Sequence, residues 1–356
     1  VPRPEEVKAV VAGPLDSDRT MLRLVATFPD HLAASCELPG LEDVAGLATA
    51  IRDVVFCGMG GSAVAADLAA PLAAAAGVRL TVHREYGPPA WLSDEQLVVL
   101  ASYSGETEEV LSVAAALAGR RGPTCVIGSG GTLAALARQR QWSWVRLPEG
   151  LPPRAALGHA YGALLHVLAR SGAWTGATDD LAGAVATLRD GIAALGPLAG
   201  EDNPALATAR AALGRLTVIY TTAPHLHPAG YRLKCQLNEN AKSPALHVPL
   251  PEGDHNDIVG WDVLQRRRDD FLLLLLRSDD EDPRTARRAE LTAELLADQF
   301  RRVVTWRARG ETPLARQLSL VQIGDFCSCY LAEAAGVDPL PVARIEELKR
   351  RLKEPR

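Results

Sequence analysis

From Asp53 onward the chain alternates two textures: short runs that are apolar at nearly every position, and longer stretches rich in alanine and leucine. Runs at 54–57, 80–83, 97–101, 125–127 and 144–147 have strand length, and stretches at 63–76, 108–117 and 133–138 have helical length. A strand with one face in water alternates apolar and polar residues, whereas a strand apolar throughout must be covered on both faces. Such strands separated by helices fold as a doubly wound parallel sheet. The alternation stops between Pro148 and Pro153, and an alanine-rich helical region follows over 154–212, interrupted near Gly172 and at Gly196 and Pro197. It then resumes, with strands at 216–221, 246–248, 272–276 and 303–306, and helices at 227–241, 285–299 and 313–335, before a charged helix at 342–353. The expected organisation is α/β: an N-terminal helical segment over 1–40, a first doubly wound parallel-sheet subdomain over 41–153, a helical connector over 154–212 and a second subdomain over 213–356. Two similar halves imply a cleft between them, where ligands commonly bind.

Composition narrows the partners. With 47% hydrophobic residues in 356, a sizeable core is available, and 38 basic and 43 acidic residues are intermixed at a net charge of -5. No basic stripe results, so neither nucleic acid nor an anionic membrane is an expected partner. No apolar stretch reaches the roughly 18 residues of a membrane span, and Val1 to Ala12 mixes charge with valine instead of forming a signal peptide's apolar block; a cytoplasmic protein is expected. Six cysteines are scattered, and Cys327 and Cys329, the closest pair, match neither a zinc knuckle nor a redox motif, so all are expected to be reduced packing residues. His225 and His227 are bracketed by Pro224 and Pro228, which favours a loop over a metal-binding strand. Neither a metal nor a cofactor is expected.

Two loops carry the first chemical signal. Gly58-Met59-Gly60-Gly61-Ser62-Ala63 follows the first strand and opens a helix. Glycines there let the backbone approach an anion, and the helix N-terminus supplies free N–H donors. The same pattern fits a dinucleotide loop, with Glu85 at a suitable distance for a ribose. The second loop, Ser102-Tyr103-Ser104-Gly105-Glu106-Thr107, follows the third strand and again opens a helix. Three hydroxyls around one glycine suit the three terminal oxygens of a phosphate monoester, or else simply cap a helix.

Together these loops resemble the sugar isomerase (SIS) domain. The second half is similar to the bifunctional phosphoglucose/phosphomannose isomerase family, through Arg232 to Ala245 with Asn238-Glu239-Asn240-Ala241-Lys242 at its centre, and through Pro251 to Trp261 with His255-Asn256-Asp257. Tyr330-Leu331-Ala332 and Gly336 to Pro339, ahead of the closing helix, extend the likeness, which runs from about Val54 to Lys353. The resemblance implies an aldose–ketose isomerase, an intramolecular oxidoreductase acting on glucose 6-phosphate and mannose 6-phosphate without a metal. It implies Gly60, Gly61, Ser62, Ser102, Ser104 and Thr107 around the phosphate, and Glu239 as the base that moves a proton between C1 and C2. By the same likeness His255 assists ring opening, reaching across a homodimer, Arg154 stabilises the enediolate and Lys349 touches the ring oxygen.

Two positions depart from the family pattern: Glu106 stands where asparagine is usual, and Asp257 where glutamate is frequent. Glu106 adds negative charge beside the phosphate loop, which opposes binding unless the side chain turns away. Competing readings are a phosphosugar-binding regulator without chemistry, which would be expected to bring a basic helix-turn-helix, and an isomerase of another sugar or aminosugar phosphate. A dehydrogenase leaves the second loop and the Glu239 and His255 blocks unexplained.

Overall fold

The computed structural model describes residues 19–47 and 51–354. The part of the N-terminal segment over 1–18, including the stretch read against a signal peptide, lies outside them. Two short helices, α1 (Thr20–Ala26) and α2 (Phe28–Ala33), come first.

The first half is β1 (Asp53–Gly58), α3 (Gly60–Ala75), β2 (Arg79–His83), β3 (Leu97–Ala101), α4 (Glu108–Ala116), β4 (Thr124–Gly128), α5 (Gly131–Gln139) and β5 (Ser143–Arg146). Its strands form one parallel sheet in the order β2-β1-β3-β4-β5, with Val54 of β1 beside both Leu80 and Leu97. Every residue of β3 and β4 is buried, as apolar runs covered on both faces require.

Three helices follow, α6 (Leu157–Ser171), α7 (Leu181–Leu195) and α8 (Pro204–Ala212), broken where glycine and proline predict. Gly172 closes α6 in the left-handed conformation, at φ 88°. Buried Asn203 opens α8 by accepting from the N–H groups of Ala205 and Leu206.

The second half is β6 (Leu216–Thr221), α9 (His227–Glu239), β7 (Ala245–Pro249), β8 (Phe271–Arg277), α10 (Pro283–Leu295), β9 (Arg302–Arg307), α11 (Pro313–Ala335) and α12 (Ala343–Leu352). Its parallel sheet runs β7-β6-β8-β9. In both sheets the first strand lies between the second and the third, so the connections leave in opposite directions and open a crevice at the carboxyl ends of β1 and β3 and again at β6 and β8. A long 3-10 segment, Asp257–Asp270, begins two residues after His255 and overlaps the end of the Pro251 to Trp261 block.

One large apolar cluster includes residues of both halves, from Met21 and Val54 to Leu272 and Leu331, while smaller clusters cover the outer face of each sheet. Helices α3, α6, α9 and α11 contribute to the shared cluster. Most of α11 is buried, which is why its sequence is apolar nearly all round. The helices over 157–212 therefore help fill the layer between the sheets as well as linking the halves. Among the described residues no helix is long and apolar enough to cross a membrane.

Candidate active site

The two anion-loop candidates lie side by side at the carboxyl ends of β1 and β3. Met59 is extended, at φ -125° and ψ 155°, and α3 starts at Gly60 directly after it, at φ 48°. Gly61 packs against the next wall of the site, where a Cβ would come within 3.3 Å of the Arg154 backbone nitrogen. The two loops are tied together by the Tyr103 N–H donating to Ser62 Oγ at 3.2 Å. Tyr103 also reaches the segment before Arg154: its hydroxyl donates to the Pro148 carbonyl at 2.8 Å and accepts from the Leu151 N–H at 2.9 Å.

Within the second loop the hydroxyls have different surroundings. Ser102 is 1% exposed; its Oγ lies 2.7 Å from Thr107 Oγ1 and accepts from the Gly105 N–H at 3.0 Å. Ser104 is exposed and accepts from the Glu106 N–H at 3.2 Å. Gly105 has φ 72°, and a Cβ there would overlap the Gly130 carbonyl oxygen, so the loop depends on glycine. The Glu106 carboxylate turns towards the start of α5, where it accepts from the Thr132 N–H at 2.6 Å and from the Thr132 hydroxyl at 2.9 Å. An anionic side chain at a helix N-terminus is stabilised there.

Helix α9 belongs to the second half yet lines a cleft whose opposite wall is the first glycine loop. Its residues Tyr231, Cys235 and Glu239 recur at four-residue spacing and face Gly60, Gly61, Arg84 and Arg154 across a space of about 160 Å³. Arg84 forms an ion pair with Asp67 of α3. Arg154 comes from the turn Pro153–Ala155, and its Nη1 lies 3.8 Å from Glu239 Oε2, with the arginine side chain 5% exposed and the glutamate 30%.

The remaining arginine donors are held by uncharged acceptors. Nε donates to Asn240 Oδ1 at 2.7 Å, and Nη2 donates to the carbonyls of Pro339 and Leu340 at 2.6 and 2.8 Å. Nη1 is thus the end of the guanidinium turned towards Glu239. Burial pushes the Arg154 pKa down and the Glu239 carboxylate opposes that shift. Behind this pair, Arg232 grips Asp325 of α11 with two hydrogen bonds, at 3.1 and 2.7 Å, and donates a third to the Arg154 carbonyl at 2.9 Å. Gln236 adds a bond to Asp325 at 3.0 Å. Lys242, at φ 53°, donates to the Glu239 carbonyl at 2.6 Å, and burial followed by repulsion from Arg154 lowers its pKa.

Other sequence candidates lie elsewhere. His255 is exposed at the end of the 3-10 turn Glu252–His255, and Lys349 is exposed on α12; neither lines this cleft. The His255 turn is anchored by Asp254, which accepts from Thr292 Oγ1 on α10 at 2.7 Å. His225 lies in a 3-10 turn and His227 opens α9, so neither is on a strand. His227 and His247 both contact Thr221 Oγ1, at 2.8 and 3.0 Å, and burial pushes both imidazoles down to about 4. Among the described residues no group of three or more histidine, cysteine or acidic side chains is placed to hold a metal. Four cysteines are buried and all six are free, but Cys36 is exposed and Cys235 lines the cleft, so those two are not core packing residues. Asn240 is part of the Glu239 block but carries no role in the sequence, and Asp325 and Ser328 are not singled out there; a carboxylate within the apolar run of α11 is the available signal for Asp325.

Two doubly wound parallel sheets, with a glycine loop and a hydroxyl loop at the switch point of the first, define the class as proteins of the SIS-type fold. Residues 201–352 match the family model of the bacterial phospho-glucose isomerase C-terminal SIS domain. The chain is 33% identical over 315 residues to the bifunctional phosphoglucose/phosphomannose isomerase of Aquifex aeolicus, covering 88% of this chain and 94% of that one. It is 31% identical to the enzyme of the same name from Caldicellulosiruptor bescii, over 94% and 99% of the two chains. A solved structure of a hypothetical protein from Thermus thermophilus superposes with a TM-score of 0.71 at 19% identity, covering 96% of this chain and 95% of that one, and so shares the fold. The chain belongs to the bifunctional phosphoglucose/phosphomannose isomerase family.

Proposed function

We propose that this chain interconverts fructose 6-phosphate with glucose 6-phosphate and mannose 6-phosphate by proton transfer. The observation that carries the reading is the pairing of Glu239 with Arg154 Nη1, 3.8 Å apart, in a cleft walled by the Gly60 and Gly61 loop. Glu239 removes the proton from C2 of the open-chain aldose phosphate, the electrons shift to the C1 carbonyl oxygen, and an enediolate forms. Return of a proton to C1 from the Glu239 carboxyl, where it exchanges with solvent, together with transfer of the O2 proton to O1, completes the ketose. The oxidation at C2 and the reduction at C1 are internal to the sugar, so the enzyme is an isomerase. Because the enediolate has no stereocentre at C2, protonation from either face in the reverse direction yields either epimer.

Arg154 places positive charge where the enediolate oxygens develop negative charge, and its neutral partners leave the guanidinium charge available. Gly60, Gly61, Ser62, Ser104 and Thr107 bind the phosphate, while buried Ser102 shapes the loop through its own contacts. With Glu106 turned onto α5, its charge is already partnered.

His255 and Lys349 complete the reaction in a homodimer, His255 opening the ring in the partner's cleft and Lys349 meeting the ring oxygen. Support comes from the exposure of both residues and from the apolar stripe on α12, where Ile345, Leu348 and Leu352 are 44%, 59% and 61% exposed. Proton NMR of the protein with fructose 6-phosphate in deuterium oxide tests the function. Glucose 6-phosphate and mannose 6-phosphate should appear carrying deuterium at C2. Saturable binding without turnover would instead point to a phosphosugar-binding regulator.

A further inference from the structure

We infer that Asn240 is a positioning residue for this reaction: its neutral amide aims the Arg154 guanidinium at the enediolate without neutralising it. The inference rests on the isomerase reading. Asn240 is fully buried, with 0% exposure, immediately after Glu239. Its two amide ends meet different groups. Oδ1 accepts from Arg154 Nε at 2.7 Å, and Nδ2 donates to Ser328 Oγ at 2.9 Å.

The Ser328 hydroxyl determines which end is which. Its single proton is donated to the Asp325 carbonyl at 2.7 Å, so towards Asn240 the serine oxygen can only accept. The amide must present nitrogen to Ser328, which leaves its oxygen for Arg154. The nearby Asp325 carboxylate is occupied by Arg232 and Gln236, and does not bond Arg154. Arg154 is therefore oriented by an amide and two backbone carbonyls, and Glu239 is the carboxylate paired with it. A carboxylate at position 240 would keep the Nε hydrogen bond but add a second negative charge to the guanidinium, weakening its attraction for a developing oxyanion.

The test is Asn240→Asp, with kcat and KM for fructose 6-phosphate and the affinity for a five-carbon hydroxamate phosphate, which presents two enediolate-like oxygens in anionic form. The expected result is a kcat lowered about 10- to 100-fold, hydroxamate affinity lowered in parallel and KM nearly unchanged. Unaltered kcat and hydroxamate affinity would overturn the inference, as would an equal loss of affinity for substrate and hydroxamate, the mark of a merely structural role. Should Asn240→Asp not fold, Ser328→Ala decides: by removing the group that orients the amide it should lower kcat with KM retained, and unchanged kcat would overturn the inference. Wild-type turnover in the same assay separates the two readings, since an inactive wild type removes both and an active one leaves only Asn240 at issue.

Discussion

Glu239 and Arg154 lie 85 positions apart in the sequence and 3.8 Å apart in the cleft. Glu239→Gln keeps the size and hydrogen-bonding shape of the side chain while removing its basicity, so turnover should fall about 10²- to 10⁴-fold with affinity for fructose 6-phosphate retained. Steady-state kinetics alongside calorimetric binding checks this, and unchanged turnover would remove Glu239 as the base. At this scale Glu239 was legible as a candidate because it sits in a distinctive sequence block, whereas Arg154 was singled out by the family likeness. Ser102 was legible only as a hydroxyl, since its burial against Thr107 depends on the loop's curvature. Asn240 was visible in the sequence, but its partners Ser328 and Arg154 are 88 and 86 positions away, so its task could not be read there.

Among the elements, the hydroxyl loop depends most on one backbone conformation. Gly105 has φ 72° and lies against the Gly130 carbonyl, so Gly105→Ala meets both strain and overlap. A loss of at least about 2 kcal/mol of stability is expected, measured by denaturant unfolding, with KM for the phosphosugar raised several-fold. Wild-type stability and KM would show that the loop does not require this conformation. Element type followed from local pattern, because buried parallel strands need apolar side chains on both faces and their neighbouring helices need only one apolar side. Boundaries moved: α10 begins at Pro283 because Asp282 accepts from the N–H groups of Arg284 and Thr285, whereas α3 begins at Gly60 without a side-chain cap, three residues ahead of the predicted 63–76. The orientation of Glu106 depended on its bonds to Thr132, 26 positions on, and therefore on how α5 packs beside the loop.

At the scale of the whole molecule, packing both halves around shared helices brings α9 of the second half against the glycine loop of the first. His255 and Lys349 remain outside that cleft, which makes the proposed dimer testable by subunit mixing. Glu239→Gln and His255→Ala subunits should each be poorly active. Unfolded together and refolded, they should recover about a quarter of wild-type activity, because half the dimers are mixed and each mixed dimer has one site with both groups intact. No recovery would mean that His255 does not act across subunits. Apolar periodicity, glycine placement and the two family blocks determined the α/β architecture, the places of the glycine and hydroxyl loops and the candidacy of Glu239, because those properties depend on near neighbours in the chain. Tertiary structure decided which donor of Arg154 faces Glu239, where Glu106 points and what surrounds Asn240, because each depends on distances between residues that only the packed core brings together.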